Sequence, residues 1–178
     1  MDKKVIVITG GPGTGKSSCI NALKKRGLIC FEEISREVTK KAQAEGIDQL
    51  FLTQPLLFSE LLLKGREQQY REAQKHASNL VFLDRGIPDV LAYMDFIGDD
   101  YLENFTHSCK THLYSQVFIL APWQEIYQSD NERYENFDQA VEIHHHLIKT
   151  YQHYNYELYD VPFGSIEKRV DFILNTLK

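Results

Sequence analysis

Residues 10–17 read G-G-P-G-T-G-K-S and follow directly on the apolar run Val5, Ile6, Val7, Ile8. Gly10, Gly15, Lys16 and Ser17 satisfy the spacing G-x-x-x-x-G-K-[ST], in which each residue type has a task on a polyphosphate. Glycines let the backbone wrap closely round the anion with successive N–H groups turned inward. Lys16 brings a point charge to the β and γ oxygens, and Ser17 can place its hydroxyl on Mg2+. The helix that follows directs its positive end at the same place. The stretch reads as a phosphate-binding loop in which Gly10, Gly11, Pro12, Gly13, Thr14, Gly15, Lys16, Ser17 and Ser18 hold a nucleoside triphosphate. A glycine-rich turn that merely joins strand to helix would not need a lysine and a serine in this register.

Three further clusters could do chemistry. Asp84 and Arg85 follow four apolar residues, Leu80 to Leu83, in the manner of a Walker-B strand. An Asp there can hold Mg2+ or take the proton of an attacking hydroxyl, and Arg85 can steady a phosphoryl group or the substrate. The plainer alternative is a charged pair that caps a turn beside Gly86. Asp89 needs only the dipole of a helix opening at Pro88 to explain it. Glu33 and Arg36, three residues apart, would share a helical face and either work together at a pocket mouth or pair in solvent. Asp130, Asn131, Glu132, Arg133 and Tyr134 form either a solvated charged loop or part of a lid, about 123–136, that swings Arg133 over the phosphates.

Other features carry less. His144, His145 and His146 cannot converge on one metal, because consecutive helical side chains point about 100° apart. His144 falls on a stripe with Phe137, Val141, Ile148 and Tyr151, whereas His146 should face water. Cys109 and His112 make a lone C-x-x-H with no second half, so no zinc is assigned. The tyrosines from Tyr151 to Tyr159 read as packing.

The elements that must position these residues alternate. Strands are expected over 5–9, 28–31, 80–83, 115–120 and 157–161. Helices are expected over 16–26, 34–45, from Pro55 to 75, from Pro88, over 137–154 and over 165–177. Residues 64–75 are mostly polar and are assigned to the outside. No linker or repeat interrupts the pattern, which implies one three-layer α/β domain, 1–178, with a parallel sheet. In such a sheet ligands bind beyond the carboxyl ends of the strands, where the three clusters lie.

Composition sets the outer limits. The chain has 178 residues, 43% of them hydrophobic, enough for a proper core. Its 20 basic and 25 acidic residues give a net charge of -5, which argues against nucleic acid or an anionic membrane as a bulk partner. Cys19, Cys30 and Cys109 are odd in number and widely spaced, as suits reduced thiols. With no signal peptide and no membrane span in the pattern, the protein is expected to be soluble and cytoplasmic. Oligomeric state leaves no readable mark.

The motifs together resemble the NadR-like group of P-loop proteins, also labelled predicted ATPases with an AAA domain. The resemblance rests on the phosphate loop, E-x-x-R at Glu33 to Arg36, F-L-D-R-G-I-P-D at Phe82 to Asp89, D-x-E-R at Asp130 to Arg133, and V-P at Val161 before a closing helix. It implies the nucleotide-kinase type of P-loop fold, a five-stranded parallel sheet in the order 2-3-1-4-5 with a lid after the fourth strand. By that likeness Asp84 and Arg85 match the D-R or E-R pair of nucleoside and nucleotide kinases, and Arg133 matches a lid arginine. The lid offers one arginine where many such kinases use two or more, and the companion domains of the ribosylnicotinamide kinases are lacking.

An energy-transducing ring is not expected, since Asp84 is followed by Arg85 rather than a water-activating Glu and the length leaves no room for a helical second domain. No N-K-x-D string exists for guanine, so adenine is the expected base. The leading expectation is a kinase that moves the γ-phosphoryl of Mg-ATP to a nucleoside- or nucleotide-like small molecule. Lys16, Asp84, Arg85 and Arg133 would be catalytic, Ser17 and Asp84 would fix the metal, and Glu33, Arg36 and Arg85 would bind the acceptor. Either Asp84 or Glu33 would take the acceptor's proton. The alternative is a regulatory NTPase that hydrolyses ATP slowly and signals to a protein partner through the polar half of the Pro55 helix.

Overall fold

The computed structural model describes residues 2–127 and 135–177. Its core is a five-stranded parallel sheet built from β1 (Lys4–Gly10), β2 (Ile29–Phe31), β3 (Leu80–Asp84), β4 (Gln116–Leu120) and β5 (Leu158–Val161) in the order β2-β3-β1-β4-β5. That is the expected 2-3-1-4-5 order. The helices are α1 (Lys16–Lys25), α2 (Ser35–Ala44), α3 (Leu50–Thr53), α4 (Pro55–Lys75), α5 (Ile87–Ile97), α6 (Glu103–Thr111), α7 (Phe137–His153) and α8 (Ile166–Thr176). The sequence pattern contains α3 and α6 only as unassigned stretches, because α3 is a single turn and α6 carries few apolar residues.

The strands read as unbroken apolar runs because both faces of the sheet are covered. Alternate residues of the three central strands point to opposite sides. Val5, Val7, Val81, Leu83, Val117 and Ile119 pack with Ile143, Leu147 and Tyr151 of α7, while Ile6, Ile8, Phe82, Phe118 and Leu120 meet residues of α1 and α8. A third cluster joins α4, α5 and α6 through residues such as Leu62, Leu63, Leu91 and Phe105. The register pairs Ile8 with Asp84 and Gly10 with Leu120, so the phosphate loop and the Asp84 turn leave the same edge side by side.

The structure corrects three expectations. The buried stripe of α7 is centred on Ala140, Ile143, Leu147, Thr150 and Tyr151, with Phe137, Val141 and Ile148 on its flank. His146 does not face water but lies partly buried with its ring edge-on to Phe96 at 6.1 Å. The polar half of α4 is not all outside: Arg66 and Ala73 are buried. Among the described residues no helix is long and apolar enough to cross a membrane.

Candidate active site

The phosphate loop spans the gap between β1 and α1. Thr14 Oγ1 donates to the Gly11 carbonyl at 3.1 Å and braces the turn from within. Gly13 has φ 71, a left-handed conformation, and a Cβ there would meet the Tyr127 ring at 2.4 Å. Only glycine fits that point. Gly15 precedes α1, whose own first turn carries no acidic residue. Ser17 and Ser18 are exposed on that first turn.

Lys16 is only 7% exposed and its Nζ donates to Asp84 Oδ1 at the end of β3. Burial, with the nearby Arg85 charge, pushes the Lys16 ammonium below its ordinary pKa; Asp84 and Glu33 oppose the shift. The side chains of Lys16 and Asp84 therefore stand together at the carboxyl ends of β1 and β3.

Arg85 takes φ 74, uncommon for a residue with a side chain, and its amide donates to the Ile8 carbonyl at 3.0 Å. Its guanidinium Nε donates to Glu33 Oε2, and its Cζ lies 5.1 Å above the Tyr93 ring. Burial works against its charge, but Tyr93, Glu33, Asp89 and Asp84 more than offset it, so Arg85 stays ionised.

Glu33 precedes α2 rather than lying within it, so it does not share a helical face with Arg36, which is exposed on the first turn. Glu33 instead receives Arg66 Nη2 on Oε1 at 2.9 Å, Arg85 on Oε2 and the Ser35 amide on Oε1 at 3.2 Å. Burial alone would raise its pKa, but Arg66, Arg85 and Lys16 outweigh it and hold the carboxyl down at about 2.

Four contributors escaped the sequence reading. Arg66 is 3% exposed and also directs Nη1 at the Asp84 carbonyl, 3.5 Å away. Its place was visible as spacing, because Ser59, Leu62, Leu63 and Arg66 recur on one buried stripe of α4. Asp89 is 1% exposed and does far more than meet a helix dipole. It accepts Thr9 Oγ1 at 2.5 Å, the Gly86 amide at 2.9 Å and Tyr151 OH at 2.5 Å. A lone acid inside the apolar run 87–94 was its signal, and Tyr151, read as packing alone, is one of its donors. Arg169 of α8 is buried beside Val170 and Ile173; its Nη2 donates to the Thr14 carbonyl at 2.8 Å, and its Cζ lies 6.0 Å from the Trp123 ring centroid.

Arg133, the expected lid arginine, lies outside the described residues with the rest of 128–134. On either side, Trp123 stacks on Phe163 at 5.1 Å, and Asn136 opens α7 with a reciprocal capping pair to Gln139. Among the described residues no group of three or more His, Cys, Asp or Glu is placed to hold a metal by itself. The glycine cradle, the buried Lys16 at a helix N-terminus, the Ser17 hydroxyl and the Asp84 carboxylate do fit a magnesium polyphosphate, whose own oxygens complete such a site.

Known proteins share this fold. No curated protein sequence matches the chain. Among solved structures, deoxyadenosine kinase from M. mycoides superposes with a TM-score of 0.70 at 16% identity, over 96% of this chain and 97% of that one. NadR protein in complex with NR gives 0.75 at 18% identity, over 97% of this chain and 50% of that one. Thymidylate kinase from Ehrlichia chaffeensis gives 0.67 at 11% identity, over 100% of both. These likenesses establish the fold as that of P-loop nucleoside and nucleotide kinases. The family model described as AAA domain matches residues 5–169, nearly the whole chain. The protein therefore belongs to that family of P-loop proteins, and within it has the NadR-like, kinase-type architecture.

Proposed function

We propose that the protein is a small-molecule kinase that transfers the γ-phosphoryl group of Mg-ATP to a nucleoside- or nucleotide-like acceptor. The observation that carries this reading is the meeting of two halves at one sheet edge. The phosphate loop brings Lys16 to Asp84, and the acidic and basic groups Glu33 and Arg85 stand beside that pair, where a second substrate would approach. A module that only binds and slowly hydrolyses ATP has no need of the second half.

In this reading the loop amides and Lys16 hold the triphosphate, and Ser17 and Asp84 would hold Mg2+, which offsets phosphate charge when bound. Arg85 and Arg36 orient the acceptor, and Asp84 or Glu33 receives the proton of the acceptor oxygen as that oxygen bonds to the γ-phosphorus and ADP departs. Arg133, outside the described residues, would add a positive charge to the transfer. Such chemistry depends on positioning and charge stabilisation more than on covalent help from the protein.

The test is ATP consumption, with and without a panel of ribonucleosides, deoxyribonucleosides and their monophosphates. A kinase consumes ATP many times faster with its acceptor and yields a phosphorylated product. Slow hydrolysis that ignores the whole panel would instead support the regulatory alternative.

A further inference from the structure

Arg66 is an arginine buried in the half of α4 whose sequence is mostly polar. Two features bring it to the site. It continues the inward stripe of Leu62 and Leu63, and its neighbour Gly65 lets the Ile34 side chain lie against the helix backbone, where a Cβ would meet Ile34 Cδ1 at 2.4 Å. That close approach sets α4 against the 33–35 segment. The guanidinium then reaches Glu33 Oε1 at 2.9 Å and the Asp84 carbonyl at 3.5 Å, and so joins the acceptor-side carboxylate to the end of the Walker-B strand.

A buried carboxylate with two oxygens can turn about its last bond unless both are engaged. Arg85 holds one oxygen of Glu33, and Arg66 with the Ser35 amide holds the other. Arg85 itself sits in a left-handed backbone conformation and is secured at the far side by Asp89, 3.5 Å from its Nη1. Glu33 is thus the link between two guanidiniums, and only one of them, Arg85, lies in a motif shared with the phosphate-transfer machinery.

We propose that Arg66 is a positioning residue of the transfer site, which fixes the direction of the Glu33 carboxylate and through it the seat of Arg85. The proposal rests on the kinase reading for its catalytic consequence, whereas its effect on Glu33 does not. The groups that face Glu33 are Arg66 from α4, Arg85 from the β3–α5 turn, Lys16 from α1 and the Ser35 amide, with Asp84 and Asp89 behind the cations. Removal of Arg66 takes away the first of the opposing charges and leaves burial to raise the carboxyl.

The experiment compares the wild-type protein with R66M and R66K, each labelled with carbon-13 at the glutamate carboxyl. Glu33 is assigned by the loss of its signal in E33Q. In the wild type the Glu33 signal holds its ionised position from neutrality down to about pH 3.5, and in R66M its titration moves up by roughly one to two pH units into the observed window. R66K keeps the charge but lacks the planar fork, so the carboxylate stays ionised while nucleoside-dependent ATP turnover falls roughly tenfold or more. ADP affinity by calorimetry stays unchanged in both variants.

A folded R66M whose Glu33 signal and turnover match the wild type overturns the proposal. If R66M does not fold, R66K decides: wild-type turnover there overturns it equally. If the wild type gives no heat with Mg-ADP, the kinase reading fails, and the carboxyl titration alone decides the role of Arg66.

Discussion

Thr9 Oγ1 donates a 2.5 Å hydrogen bond to Asp89 Oδ1 and so ties the residue before Gly10 to the helix that follows the Asp84-Arg85-Gly86 turn. The same carboxylate receives Tyr151 of α7 and the Gly86 amide, which makes Asp89 the common anchor of β1, the β3–α5 turn and α7. Asp89→Ala would leave three buried donors without an acceptor and is expected to cost about 3–5 kcal/mol. Tyr151→Phe removes one donor and should cost only about 1 kcal/mol. Denaturant unfolding of the two variants measures both, and equal losses would refute the hub.

In the proposed reading Lys16, buried at the start of α1, is the cation that the glycine loop presents to the phosphates. Lys16→Ala is expected to weaken Mg-ATP binding by roughly 100-fold or more, a loss of the size seen when a preorganised charge partner is deleted. Titration calorimetry reads it directly. Full affinity in the variant would mean that the loop does not grip the nucleotide.

Gly13 combines φ 71 with the Tyr127 ring at 2.4 Å from a would-be Cβ. Gly13→Ala therefore meets both a backbone penalty of about 1–2 kcal/mol and a clash that displaces either the loop or the 124–127 turn. ATP affinity should fall together with melting temperature. A variant that keeps both at wild-type levels would contradict the described loop conformation.

Acid titration follows from Glu33. Its carboxyl is held at about 2 against an ordinary value of 4.5, so the folded state binds its proton less readily than the unfolded chain. A lowered pKa contributes stability that is present above the unfolded value and is lost as pH falls through the folded one. The window therefore runs from about pH 4.5 down to about pH 2, with a contribution on the order of 3 kcal/mol. Glu33→Gln should be less stable near neutrality, because Arg66 and Arg85 lose their shared anion, yet lose less stability than the wild type across that acid window. Parallel acid-unfolding curves would count against it.

Much of this arrangement was legible because local rules agreed. The apolar runs at Val5, Leu80 and Val117 can only be strands covered on both faces, and the glycine pattern after the first has one common use. Asp84 and Arg85 follow from their place at a strand end. Arg66 and Arg169 were not legible in the same way. Each arises where a charged side chain continues an apolar helical stripe, and charge in the sequence suggests solvent even when spacing points inward. Glu33 and Arg36 were misjudged as a pair because α2 begins two residues after Glu33, and a helix boundary shifted by that much changes which side chains share a face. Asp89 was discounted because a helix dipole accounts for its type, whereas two of its donors, Thr9 and Tyr151, come from residues distant in the chain.

The chain contains a single tryptophan, and it sits in a telling place. Trp123 stacks on the Phe163 ring and has the Arg169 guanidinium 6.0 Å from its ring centroid, and that guanidinium donates to the Thr14 carbonyl of the glycine loop. A shift of the loop thus reaches the indole through one side chain. Trp123 emission is therefore expected to change when Mg-ATP is added, which gives a reading of the loop without dye, label or coupled assay.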